Sequence, residues 1–320
     1  MHQEMLSVFT SIKLSADEKG LVLTADDFWK IARANGGYAH LAGDDSEIQR
    51  AIDGLFSGSI SSSPRPAYSL SSSPTTKRKT LEASAEQIER WKANASEFIA
   101  SKGGRVEQID LLEASPIKPA QGKGFVTASE TLFHPDEGVA VVTKLNADGV
   151  PFGCDEVKTP SDWRAYLNSG KQIRCKAGGW WRVNPVNPSG GTGKSGTIKD
   201  ADIISFRYML IENDKLPLDL QAGLLAYLPL PIVSIVDSAG KSLHALVRLD
   251  APDKPSYKEK AEELTYDLHE RFGYDVANKN PSRMSRLPDG WRDINRREGS
   301  DGNQRILFLA EMHREAKAIL

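Results

Sequence analysis

Phe206-Arg-Tyr-Met-Leu-Ile-Glu-Asn-Asp214, FRYMLIEND in one-letter form, closes a β-rich run over Ile203 to Ile211 and stops on two carboxylates two residues apart. Side chains alternate across a strand, so Glu212 and Asp214 project to one face, about 6–7 Å apart along the chain. Two acids on one face at a strand end can hold hard divalent cations. A pair of such ions about 4 Å apart clamps phosphoryl transfer in polymerases and nucleases. The competing reading is that the acids only mark the strand end and cap the turn that follows.

Downstream of this strand, Asp219 to Tyr227 reads as a helix and Ile232 to Val236 as a second apolar run. A turn at Ser238-Ala-Gly-Lys241 leads into Leu243 to Leu249, which predicts a β-hairpin. Tyr257, Ala261, Leu264 and Leu268 set the core face of a long helix ending near Phe272-Gly273. Strand, helix, hairpin, helix and further strand make an α+β pattern with an antiparallel sheet, as in RRM-like palms. Upstream, Ile88, Trp91, Ala95, Phe98 and Ile99 share a helical face closed by Gly103-Gly104. Between 105 and 185, GVAVVTKL and WWRVNPV read as strands and QIDLLEA and SDWRAYL as helices, giving an N-terminal α/β half packed with the palm.

Residues 57–75 contain nine serines and three prolines in 19 positions, a composition that cannot offset its ordering entropy and therefore reads as a linker. Before it, TADDFWKIARANGG and DDSEIQRAIDGLF carry capping residues and helical spacing. The expected division is a helical module over 1–56, a linker over 57–80, a main domain over 81–312 split at 197/198, and a tail over 313–320.

The 320 residues carry a net charge of −2, so any surface for nucleic acid must be local. No apolar run approaches the roughly 20 residues of a membrane span, so a cytoplasmic protein without a membrane partner is expected. The two cysteines, Cys154 and Cys175, form no CxxC pair and predict neither a disulfide framework nor a zinc site.

Two further stretches carry chemistry. In KSLHALVRL, Ser242 and His244 share one strand face while Leu243, Ala245 and Val247 share the other. Imidazole, hydroxyl and the Lys241 ammonium make a good phosphate seat. In DVANKNPSRMSRLPDGWR, Asn280 can cap and Pro281 can start a short helix stopped by Pro288. Arg283 and Arg286 would then share one helical face and bind phosphate. Solvated surface arginines are the competing reading there.

SGGTGKSG at 189–196 looks like a phosphate-binding P-loop. Its first glycine position is Pro188, however, which has no N–H to give, and the flanking segments are not a strand and a helix. A flexible connection between the two halves is expected.

Taken in order, WWRVNPV, FRYMLIEND, SAGKSLHALVRL, NPSRMSRLPDGWR and QRILFL resemble the archaeo-eukaryotic primase superfamily, in particular the primase-polymerase domains of bacterial mobile elements and phages. The resemblance covers roughly residues 103 to 312. It implies a DNA-dependent primase-polymerase acting on single-stranded DNA and nucleoside triphosphates. Glu212, Asp214 and Asp275 would hold two Mg2+ or Mn2+ ions, with Asp289 competing with Asp275 for the third role. Lys241, Ser242, His244, Arg283 and Arg286 would bind the incoming nucleotide, and Arg182 and Asn184 would touch nucleotide or template. A separate replicative helicase is the expected partner. The first acid is Glu where the superfamily more often has Asp.

A rolling-circle nuclease would need two histidines around one residue, and none of the six is so paired. A non-catalytic single-strand binding module would stack bases on Trp180, Trp181, Phe206 and Tyr208.

Overall fold

A computed structural model describes residues 83–146, 151, 156–193 and 196–320. The expected helical module over 1–56 and linker over 57–80 lie outside the described residues. In chain order the helices are α1 (Ala85–Lys102), α2 (Gln108–Ala114), α3 (Gly124–Leu132), α4 (Pro160–Asn168), α5 (Leu218–Tyr227) and α6 (Lys254–Phe272). The strands are β1 (Val139–Val142), β2 (Glu156–Lys158), β3 (Trp180–Arg182), β4 (Phe206–Ile211), β5 (Ile232–Asp237), β6 (Leu243–Ala251), β7 (Met284–Arg286) and β8 (Ile306–Leu309).

They build an α+β fold with two antiparallel four-stranded sheets, β2-β1-β3-β7 and β4-β6-β5-β8. The second sheet is covered on both faces. Met209 and Ile211 of β4 join Leu243, Ala245 and Val247 of β6 in a core shared with α1, α5 and α6. Tyr208, Leu210 and Leu246 point the other way, into a core with α3, Trp163 of α4 and Trp181 of β3. Burial on both faces is why these strands read as nearly continuous apolar runs. α5 is apolar all round for the same reason, and it sits so close to α1 that a Cβ on Gly223 would meet Ile99 Cδ1 at 2.6 Å.

Local signals fix the helix ends. Ser84 and Gln87 form a capping box on α1, Thr159 and Asp253 cap α4 and α6, and Gly273 ends α6 at φ 76°.

One expected element differs. The short helix after Pro281 is instead a turn followed by β7, which pairs with β3 through Trp180↔Arg286 and Arg182↔Met284. The β3 edge offers a complete ladder of partners, and that outweighs the weak helix-start signal of Asn-Pro. The first sheet is thus completed by a strand from the C-terminal part of the chain.

Candidate active site

The geometry grows from the end of β4. Past Ile211 the chain turns on Asn213, which is buried. Its Oδ1 accepts from Lys215 N and Leu216 N at 2.9 and 3.0 Å, and its Nδ2 donates to Phe272 O at 2.7 Å. Asn213 therefore caps the turn, and the carboxylates on either side of it are released from that task. Both Glu212 and Asp214 line a cleft of about 1170 Å3.

β6 supplies the next layer. The β4–β6 register, with Ile211 opposite Ala245, places His244 across from Glu212, and Nε2 lies 2.9 Å from Glu212 Oε2. The Arg286 N–H of β7 faces His244 Nδ1 at 3.4 Å, which leaves Nε2 as the donor to Glu212. Asn278, fully buried, donates to Glu212 Oε1 at 3.1 Å. Burial alone would raise the Glu212 carboxyl. The attraction and hydrogen bond from His244, the Asn278 amide and the Arg283 guanidinium outweigh it and bring it down to about 2.

Gln221 of α5 fixes the hairpin turn. Its amide donates to Leu216 O and Lys241 O and accepts from Leu243 N, so Lys241 and Ser242 stand at the rim of the cleft. Arg283 follows the turn before β7 and Arg286 lies within β7, and both line the cleft although no helix carries them there. The Arg286 guanidinium lies 4.4 Å over the Trp180 ring. Burial, with the Arg292 charge nearby, holds Arg286 down to about 9.

Asp275 sits beside Glu212 through its backbone, its N–H donating to Glu212 O at 3.0 Å. Its carboxylate faces Arg283 Nη2 at 3.6 Å, and the same nitrogen is 4.0 Å from Glu212 Oε1. Arg283 thus bridges the two acids. Asp289 lies elsewhere, accepting from Phe125 N at 3.3 Å in the first turn of α3, where burial raises its carboxyl. Among the described residues no group of three or more His, Cys, Asp or Glu side chains converges in a metal-binding arrangement. The Glu212 and Asp214 carboxylates are hard oxygen donors on a common opening and fit a hard divalent cation. Asp275 does not join them while Arg283 holds it.

Arg182 lines the cleft and donates to Ser282 O. Asn184 does not face the cleft. It is fully buried, accepts from Tyr208 N, and donates to Tyr208 O and Pro281 O, so it fastens β4 to the turn before β7. The aromatics considered for stacking are also committed to packing. Trp181 and Tyr208 are fully buried, Trp180 lies under Arg286, and Phe206 packs on Tyr257.

The sequence reading missed Arg292, Arg296 and Arg297, which line the same cleft. Their signal was the basic run WRDINRRE, which has no period to place it. Arg292 is buried, donates through Nη1 to Ser238 O at 3.0 Å, and keeps its Nε without an acceptor. Arg297 pairs with Asp237 at 2.8 Å. Among the described residues, nine cationic side chains and two carboxylates line the cleft, a concentration of positive charge in a chain whose net charge is −2.

The described residues of the glycine-rich loop contribute none of this lining. In its described part, Thr192 N and Oγ1 donate to buried Asp202, Ser189 N donates to Asn187 Oδ1, and Gly193 N donates to Thr197 O. N–H groups spent this way do not cradle a phosphate.

No helix among the described residues is long and apolar enough to cross a membrane. No family model and no curated protein sequence matches the chain. Among solved structures, the chain is similar to the primase-polymerase (PrimPol) AEP domain, PP-N190, of cyanophage S-2L, at 20% identity and a TM-score of 0.36, over 59% of this chain and 93% of that one.

Proposed function

We propose that this chain is a primase-polymerase, joining nucleotides from nucleoside triphosphates on a single-stranded DNA template. The observation that carries the reading is the cleft itself, where nine cations surround two carboxylates at one strand end. Such a lining suits a triphosphate of high negative charge, and the buried Arg292 Nε still lacks an acceptor.

In this reading Glu212 and Asp214 would hold Mg2+ or Mn2+, which would supply charge neutralisation and activation of the attacking hydroxyl. His244 keeps Glu212 ionised and oriented through the 2.9 Å bond. Lys241, Ser242, Arg286 and Arg292 seat the phosphates. Arg283, 3.6 Å from Asp275 and 4.0 Å from Glu212, would contact the triphosphate, and Asp275 would serve beside Glu212 as the third acid.

The test is primer synthesis on circular single-stranded DNA with labelled nucleotides and Mg2+ or Mn2+. Wild type yields product, and Asp214→Ala lowers the yield by at least about a hundredfold, the scale of losing a group that stabilises transition-state charge. A wild-type chain that makes no product even when given a primer sinks the reading.

A further inference from the structure

A second concavity of about 770 Å3 adjoins the segment Gly290–Ile294. Trp291 and Asp293 line it, whereas Arg292 between them lines the cleft. Alternation of side chains makes this stretch a wall common to both. Isolated bridges Ala177↔Arg292 and Trp291↔Asn303 hold the wall in place, and Asp293 N and Ile294 N donate to Lys176 O.

The lining of this groove is basic and carries one open aromatic face. Lys123, Lys171, Arg174 and Lys176 stand against two acids that already have partners. Asp289 accepts from Phe125 N, and Asp293 accepts from Trp291 Nε1 at 2.7 Å. That second bond holds the indole by its edge, and Trp291 remains 51% exposed. A large aromatic fixed at one edge therefore presents its open face to the basic groove.

We propose that this groove binds single-stranded nucleic acid, with a base stacked on Trp291 and the backbone running along Lys171, Arg174 and Lys176. Two complementarities support that occupant. The cations match a phosphate backbone, and an indole face stacks on any base without reading its identity. An acidic peptide would use the cations and leave the pinned indole without a purpose. The groove deepens the proposed function by giving the template a path that shares a wall with the nucleotide cleft, and it rests on that reading.

The test is fluorescence anisotropy of a labelled oligothymidine with the full chain. Trp291→Ala weakens binding by about tenfold, and Trp291→Phe stays within roughly twofold of wild type, because a phenyl ring still stacks. Lys171→Gln with Arg174→Gln lowers the slope of log affinity against log salt by about 1.4. This pair repeats the test without touching the Trp291 loop, should Trp291→Ala fail to fold. Binding that is indifferent to Trp291 and an unchanged salt slope overturn the proposal, including in favour of a protein partner. The two readings fail separately. A chain that binds the oligonucleotide through Trp291 but makes no primer keeps the groove and loses the transferase. A chain that makes primer with Trp291-independent binding loses the groove alone.

Discussion

At the start of β4 Arg207 meets Glu137, and just past its other end Glu212 meets His244. The two pairs are nearly equally deep, with side chains 8% and 11% exposed in the first and 16% and 7% in the second. Their surroundings differ. Arg207 also donates to Leu132 O and to Met312 Sδ at 3.3 Å each, and Glu137 Oε2 accepts from His134 N at 2.7 Å, so this pair is closed in by partners of its own. Glu212 opens onto a cleft of cations, one of which has a buried donor without an acceptor. Burial alone therefore does not single out a candidate functional pair; what the pair faces does.

The hardest way to break the comparison is to remove one member of the closed pair. Arg207→Ala leaves Glu137 buried and uncompensated, which costs about 3–5 kcal/mol. The thermal midpoint should fall by about 10 °C in a domain of this size. Activity per folded molecule should not change, because nothing around Arg207 reaches the cleft. Calorimetry beside a primer-synthesis assay checks both halves. A variant that melts normally but loses activity would show the closed pair to be part of the site.

The open pair gives the next effect through pH. Glu212 titrates at about 2 in the folded chain, against an ordinary value of 4.5. For an acid depressed by folding, the stabilisation is complete above pH 4.5 and fades as pH falls towards 2. The displacement is worth roughly 3 kcal/mol at neutral pH. Glu212→Gln should remove that portion of the acid-side slope, read as urea midpoints between pH 5 and pH 2 (about the window set by the two values). An unchanged slope would show that His244 and Arg283 do not hold Glu212 in solution.

Much of this contrast was legible in the chain. FRYMLIEND ends its strand where the structure ends it, at Ile211, with Glu212 and Asp214 on the cleft. The hairpin turn at 238–241 follows from its turn residues, and the two faces of β6 from alternation. The expectation failed where structure depends on a distant partner. Met284–Arg286 is too short for a period to register, and its state is decided by β3, about a hundred residues earlier in the chain. Asn184 resembled a cleft residue because its neighbour Arg182 is one, yet its amide is spent on β4. Arg292 was invisible because a run without periodicity gives no hint of which members turn inward. Gly240 marks its place: a Cβ there would meet Arg292 Nη1 at 2.4 Å.

The smallest effect concerns Arg286, which stacks on Trp180 and sends its backbone N–H to His244 of the open pair. Burial first, and Arg292 second, hold its guanidinium at about 9, far below the ordinary arginine value of 12.5. Below that value it is charged and matches a phosphate; above it, the charge is given up because the buried site resists keeping it. Nucleotide affinity should therefore hold steady through pH 7.5 and fall as pH rises through about 9. The loss for one charge-assisted contact is about tenfold. In Arg286→Gln the affinity at neutral pH should drop by a similar factor, and its dependence on pH across the same range should be flatter than wild type. Every other ionisable group is common to both proteins, so the difference between the two curves isolates Arg286. Parallel curves would mean that the arginine braces Trp180 and donates through Nη1 to Ala177 O at 2.9 Å without meeting the nucleotide, and the phosphate seat would then rest on Arg292 and the hairpin turn.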